Sequence, residues 1–138
     1  MKLRAEYTCP LELVHDMIKG KWKSIILWQL SYGPTSLAQL ERDIEGITQK
    51  MLIEHLNDLV HCGFVSKSKS NGYPLSVAYT LTIPRGQTIL EALKIMQQIG
   101  IQYITEHNMG KGYFARIEKR RSLGKKIQLD PNSLKNPD

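Results

Sequence analysis

The residues with the most chemistry to offer are suited to phosphates and base edges. Thr48, Gln49 and Lys50 stand together at the start of a leucine repeat. A threonine there can cap a helix or meet a phosphate, glutamine matches the paired donor and acceptor of adenine, and lysine suits guanine or a phosphate. The plain alternative is a capping threonine followed by two ordinary surface residues. Lys67 and Lys69 alternate ahead of Ser70 and Asn71, so within a strand both lysines share one face and can follow a phosphate backbone. A solubilised edge strand explains the same pattern. Ser36 and Glu54 complete the set expected to face nucleic acid, although Glu54 and Asp58 place negative charge near the middle of the presenting helix.

Catalysis has little support. His15, His55, His61 and His107 form no metal-ligand spacing, and no serine lies in a nucleophile elbow. No catalytic residue, metal site or cofactor is expected, and the chain reads as a protein that is not an enzyme. Cys9 and Cys62 lie far apart and fit neither a zinc pattern nor a disulfide framework. Both read as thiols in a reducing compartment. Lys19, Lys21 and Lys23 form either a backbone clamp or a solvated corner.

Positioning these residues requires a particular order of elements. Thr8 and Pro10 bracket the start of a first helix over Leu11, Val14 and Ile18, ending near Gly20. A second follows from Lys21 to Leu30, with Trp22, Ile25, Ile26 and Leu30 inward and Lys21, Lys23 and Gln29 outward. Ser36 caps a third over Leu37, Leu40 and Ile44, and Gly46 supplies the turn after it. Thr48 opens a fourth in which Leu52, Leu56 and Leu59 recur at helical spacing until Gly63. At about 100° per residue, its free side carries Lys50, Glu54, Asn57, Asp58 and His61.

The period then changes from helical to alternating. Residues 64–69 and 76–83 read as two strands joined by a turn at Asn71-Gly72-Tyr73-Pro74. After Pro84 a long helix carries Ile89, Leu90, Leu93, Ile95, Met96, Ile99, Tyr103 and Ile104, more apolar surface than one small domain can cover. Such an excess implies a partner. Three short helices, a tight glycine turn and a hairpin make the order of a winged helix-turn-helix.

Composition bounds the rest. A chain of 138 residues suits one hydrophobic core. No run approaches the roughly 20 apolar residues of a membrane span, and the charged start lacks a secretory pattern, so a cytoplasmic location is expected. Residues 1–108 hold 11 basic and 10 acidic side chains, whereas residues 109–138 hold 8 and 3. The basic balance therefore lies in the tail, and the body's case for nucleic acid rests on pattern. The tail reads as a backbone-binding arm, a segment ordering on binding or a solubilising extension. Tyr113 through Arg121 can form a turn or two of helix, and about the last 15 residues read as disordered.

Several ordered motifs carry a family likeness. Cys9-Pro10-Leu11-Glu12, Gly20-Lys21-Trp22, Gly46-Ile47-Thr48-Gln49-Lys50-Met51-Leu52, Leu56-Asn57-Asp58-Leu59, Gly63-Phe64-Val65 and Tyr79-Thr80-Leu81-Thr82 occur in sequence. Over roughly residues 7–105 the chain resembles the HxlR-type winged-helix regulators. The resemblance implies a mostly helical α+β fold, with a DNA-binding and dimerisation domain over 7–107, and offers no counterpart for the basic, partly disordered extension over 108–138. It further implies a homodimer, paired through the first and last helices, that binds a near-palindromic operator in double-stranded DNA. Leu11, Ile89, Leu93, Met96, Ile99 and Tyr103 are the interface candidates.

Cys9 matches a cysteine through which some relatives sense electrophiles or oxidants, and its place before a helix N-terminus favours thiolate. A capping or buried thiol at the dimer seam is the other reading. The alternative function is a winged-helix module that binds another protein without specific DNA recognition. Asn57, His55 and Ile53 stand where the family often has basic or small hydroxyl residues, so this recognition helix is less basic than usual.

Overall fold

The helix that the sequence places second runs through the centre of the protein and is covered on several sides. In the computed structural model, which describes residues 1–124, the order is α1 (Pro10–Ile18), α2 (Trp22–Gln29), a 3-10 turn at Leu30–Tyr32, α3 (Leu37–Asp43) and α4 (Gln49–His61). Two strands, β1 (Val65–Lys69) and β2 (Val77–Leu81), precede α5 (Arg85–Glu106) and α6 (Gly110–Ser122). This is the expected mostly helical α+β winged helix-turn-helix with a long late helix.

Helix α2 packs against α3, α4 and α5, and its enclosure corrects the outward placement of two residues. Lys23 is buried, and so is Gln29. A periodicity argument assumes one covered stripe, whereas a central helix is covered on several faces. Lys23 is tolerated because its ammonium lies 3.2 Å from a carboxylate oxygen of Asp58 on α4. The core around α2 is Ile26, Leu27, Leu30, Leu40, Ile44, Leu52, Leu56 and Leu59, all buried.

The strands pair antiparallel with Val65 opposite Leu81 and Lys69 opposite Val77. They are shorter than the sequence expects, because the chain leaves the ladder at Thr82. There the Thr82 hydroxyl donates to the Gly63 carbonyl at 2.6 Å and accepts from the Gly86 amide at 2.9 Å. Gly86 is needed at this junction. A Cβ on it would lie 2.4 Å from the Phe64 carbonyl oxygen and 3.1 Å from Leu81, so the start of α5 approaches the start of β1 more closely than any side chain allows.

Helix α6 has 13 residues, longer than the turn or two the sequence suggests. The segment read as disordered lies outside the described residues, apart from its first position. Among the described residues no helix is long and apolar enough to cross a membrane.

Candidate nucleic-acid interface

The presenting helix is held by its leucines. Leu52, Leu56 and Leu59 are fully buried, so the remaining arc of α4 must face outward. At its start Thr48 has extended backbone and its hydroxyl accepts from the Met51 amide at 3.2 Å, as a capping threonine should. Thr48, Gln49 and Lys50 are all exposed. The helix dipole and the free first-turn amides point the same way, towards any anion approaching this end. Ser36 is exposed and caps α3 in the same manner, accepting from the Gln39 amide at 3.1 Å.

Further along α4 the arc divides. Glu54 and Asn57 are exposed and His61 is too, while His55 is half-buried. Asp58, expected on the free side, turns towards the protein. One oxygen meets the Lys23 ammonium and the other meets the Met1 amino group at 3.1 Å. Burial works against its ionisation, but the hydrogen bonds and charges of Met1 and Lys23 together outweigh it and hold the carboxyl below the usual aspartate range. The repulsion expected from Asp58 is therefore largely answered inside the protein, and Glu54 remains the acidic residue on the open arc. Nothing in the sequence links residues 23 and 58; only packing brings them together.

The hairpin stands beside this helix as a wing. Lys67 and Lys69 are exposed on β1, and Asn71 is exposed at the tip. The loop closes through the Ser70 amide to the Ser76 carbonyl at 2.8 Å and the Ser76 amide to the Ser70 hydroxyl at 3.0 Å. Wing and helix-turn-helix are joined at Thr35, which exchanges two backbone hydrogen bonds with Tyr79 at 3.0 and 2.9 Å. That bridge fixes the lysines relative to the cap of α3. The sequence reading passed over two apolar residues of the tip, Tyr73 at 98% and Leu75 at 76% exposure; a tyrosine and a leucine flanking a proline turn were the available signal.

The lysine corner separates into parts. Lys19 and Lys21 are exposed, with Lys21 over the Trp22 ring at 4.4 Å, whereas Lys23 is turned inward. Of the interface candidates, Leu11, Met96, Ile99 and Tyr103 are exposed. Leu93 belongs instead to the core of this chain, and Ile89 is half-buried against that core. This corrects the placement of Leu93 on the partner-facing side, since it has no free surface to offer. The long helix uses one stripe for its own domain, and Ile95, also exposed, joins the other.

The two thiols differ. Cys9 is exposed and stands at the N-cap of α1, where Glu12 accepts from the Thr8 amide, the Thr8 hydroxyl and the Cys9 amide. Cys62 is buried and burial pushes its thiol up. Among the described residues no group of three or more His, Cys, Asp or Glu side chains could hold a metal ion.

A recognition helix capped at Thr48, braced by leucines and flanked by a two-stranded wing has close counterparts. The profile of the HxlR-like helix-turn-helix matches residues 17–108. The chain belongs to the HxlR-like helix-turn-helix family. YkvN, an HTH-type transcriptional regulator of Bacillus subtilis (strain 168), is 34% identical over 113 residues, which is 82% of this chain and 94% of YkvN. Among solved structures, the redox regulator HypR in its reduced form superposes with a TM-score of 0.66 at 28% identity, covering 74% of this chain and 99% of HypR. The reduced form of YodB, a transcriptional regulator from B. subtilis, gives 0.63 at 28% identity over 70% of this chain and 95% of YodB. This HxlR-type chain is thus a helix-turn-helix transcriptional regulator of the DNA-binding kind, not an enzyme.

Proposed function

We propose that this HxlR-type regulator works as a cytoplasmic homodimer that binds a near-palindromic operator. Thr48, Gln49 and Lys50 meet the major groove, and Ser36, Lys67, Lys69 and Asn71 meet the backbone. Glu54 borders the contacted bases. The observation that carries this reading is the open end of α4, with all three entrance residues exposed next to a lysine-bearing wing that Thr35 ties to α3. A dimer is supported by the second stripe of α5, where Ile95, Met96, Ile99 and Tyr103 are each more than half exposed, together with Leu11 on α1. Large contiguous apolar surface of this kind marks an interaction site. A symmetric pair sets its two recognition helices about one turn of DNA, roughly 34 Å, apart.

Footprinting on the DNA beside the protein's own gene tests the reading. A protected near-palindrome of two half-sites is expected. A protein that protects no sequence and shows equal affinity for every duplex is the interaction module instead.

Cys9 is the proposed sensing residue for electrophiles or oxidants. Its exposure at the start of α1, close in sequence to the interface candidate Leu11, supports the assignment, as does the similarity to the redox regulator HypR. Limited alkylation at neutral pH followed by mass spectrometry is expected to label Cys9 well before Cys62. Equal labelling of the two removes the basis for sensing at Cys9.

A further inference from the structure

Helix α6 lies outside the residues that match the family profile, and it does not stand away from the domain. Its half-buried Arg120 donates to the backbone carbonyl of Asp43, at the end of α3. Between α6 and the α3–α4 turn lies an open cleft of about 760 Å³. Arg116, Lys119 and Arg120 line it from α6, and Arg42 from α3. Glu41 and Glu45 line it too, leaving an excess of two positive charges. Arg116 and Lys119 are exposed, and among the described residues neither is engaged by a carboxylate. The opposite wall includes Gly46 and Ile47, which immediately precede the Thr48 cap of the recognition helix.

We infer that this cleft receives the sugar–phosphate backbone of the DNA strand flanking the groove that α4 enters. The inference rests on the DNA-binding reading above. A duplex seated on Thr48, Gln49 and Lys50 must carry its backbone past the turn that leads into them, because the first residues of a recognition helix reach base edges only when the adjoining phosphates are close to the helix start. Arg116 and Lys119 line the same cleft as Gly46 and Ile47, and a cation within the Debye length of a phosphate, about 10 Å at 0.1 M salt, acts on it with little screening. Guanidinium and ammonium groups then replace condensed counterions, which raises affinity without adding sequence preference. Helix α6 thus supplies the cationic contact that the weakly basic recognition helix lacks.

The test compares the full chain with its Arg116→Gln/Lys119→Gln variant on the operator and on unrelated duplex, from 50 to 200 mM salt. Lys94→Gln, on α5, serves as a control for net charge. The double variant is expected to bind both duplexes more weakly, by about tenfold or more at 0.1 M salt, with a slope of log affinity against log salt shallower by about 1.8 per protomer. Its circular dichroism melt should match that of the unaltered chain, and the Lys94→Gln slope should stay close to it.

An unaltered slope in a double variant that still binds the operator overturns the cleft assignment and leaves the regulator reading standing. Failure of the unaltered chain to bind any duplex overturns both. Titration with inorganic phosphate separates the two sources of phosphate. If the full chain binds inorganic phosphate in the absence of DNA and the variant does not, while both bind duplex equally in chloride, the cleft takes a free anion and the duplex assignment fails.

Discussion

Helices α4 and α5 solve the same problem with different remainders. Each buries a stripe in the shared core, Leu52, Leu56 and Leu59 from α4, Leu90 and Leu93 from α5. What α4 leaves outside is mainly polar, Gln49, Lys50, Glu54 and Asn57, with Ile53 and Val60 only just exposed beside them. What α5 leaves outside includes, beside its polar residues, an apolar stripe of Ile95, Met96, Ile99 and Tyr103. A polar remainder keeps its water until an anionic, hydrogen-bonding surface displaces it, whereas an apolar remainder is worth roughly 25 cal/mol for each Å² removed from water. On the proposed reading one helix meets DNA and the other a second copy of the chain, and the two roles can be separated by substitution.

The largest effect should come from the stripe on which both helices depend. Leu56→Ala leaves a cavity at a fully buried position and is expected to cost about 2–5 kcal/mol, read as a lowered midpoint in urea. A loss below about 1 kcal/mol would mean that α4 is not braced as described. Next, Met96→Glu/Ile99→Glu should move the sedimentation coefficient to that of a monomer while the far-ultraviolet spectrum is kept. Retention of the dimer would shift the interface away from α5.

On the α4 side the changes are smaller and concern binding rather than folding. Lys50→Ala should weaken operator binding and lower the salt slope by about 1 if its contact is a phosphate. Gln49→Ala should relax base preference at one position, at about 1–3 kcal/mol of discrimination. A competition assay with single-base operator variants reads both, and unchanged preference in each would remove the entrance residues from recognition.

A last effect, on folding and not on binding, concerns Asp58, whose carboxyl is held below the usual aspartate range by Met1 and Lys23 against the cost of burial. Its contribution is present above the unfolded-state value and is lost as the pH falls through the lower folded-state value. Asp58→Asn leaves the buried Lys23 ammonium without its carboxylate and should therefore be less stable at neutral pH by about 1–3 kcal/mol. The difference from the unaltered chain should close as the solution becomes more acidic than the ordinary aspartate range. A gap that persists at the lowest pH would show that the loss is one of packing and not of charge.

Much of this division was legible beforehand because it depends on short-range rules. The caps at Ser36 and Thr48 need only a hydroxyl ahead of a helical repeat, and the structure shows both hydroxyls accepting the expected amides. The alternation of Lys67 and Lys69 follows from the pleat of β1. Leu93 and Ile89 were harder to place, since periodicity gives a helix two apolar stripes without saying which belongs to the protomer. Gln29 and Lys23 were misplaced for the related reason that a helix in the middle of a domain has no outer side.

By itself the sequence determined the order of the elements, the caps, the leucine stripe and the family, because each depends on neighbours within a few residues or on motifs in a fixed succession. The tertiary structure alone decided that Asp58 faces Lys23, that Thr35 joins Tyr79, that Gly86 must have no side chain, and that Arg120 reaches Asp43. Those contacts link residues 22 to 77 positions apart. No local periodicity carries such pairings; they exist only once the core has closed and brought distant backbone and charge within hydrogen-bonding range.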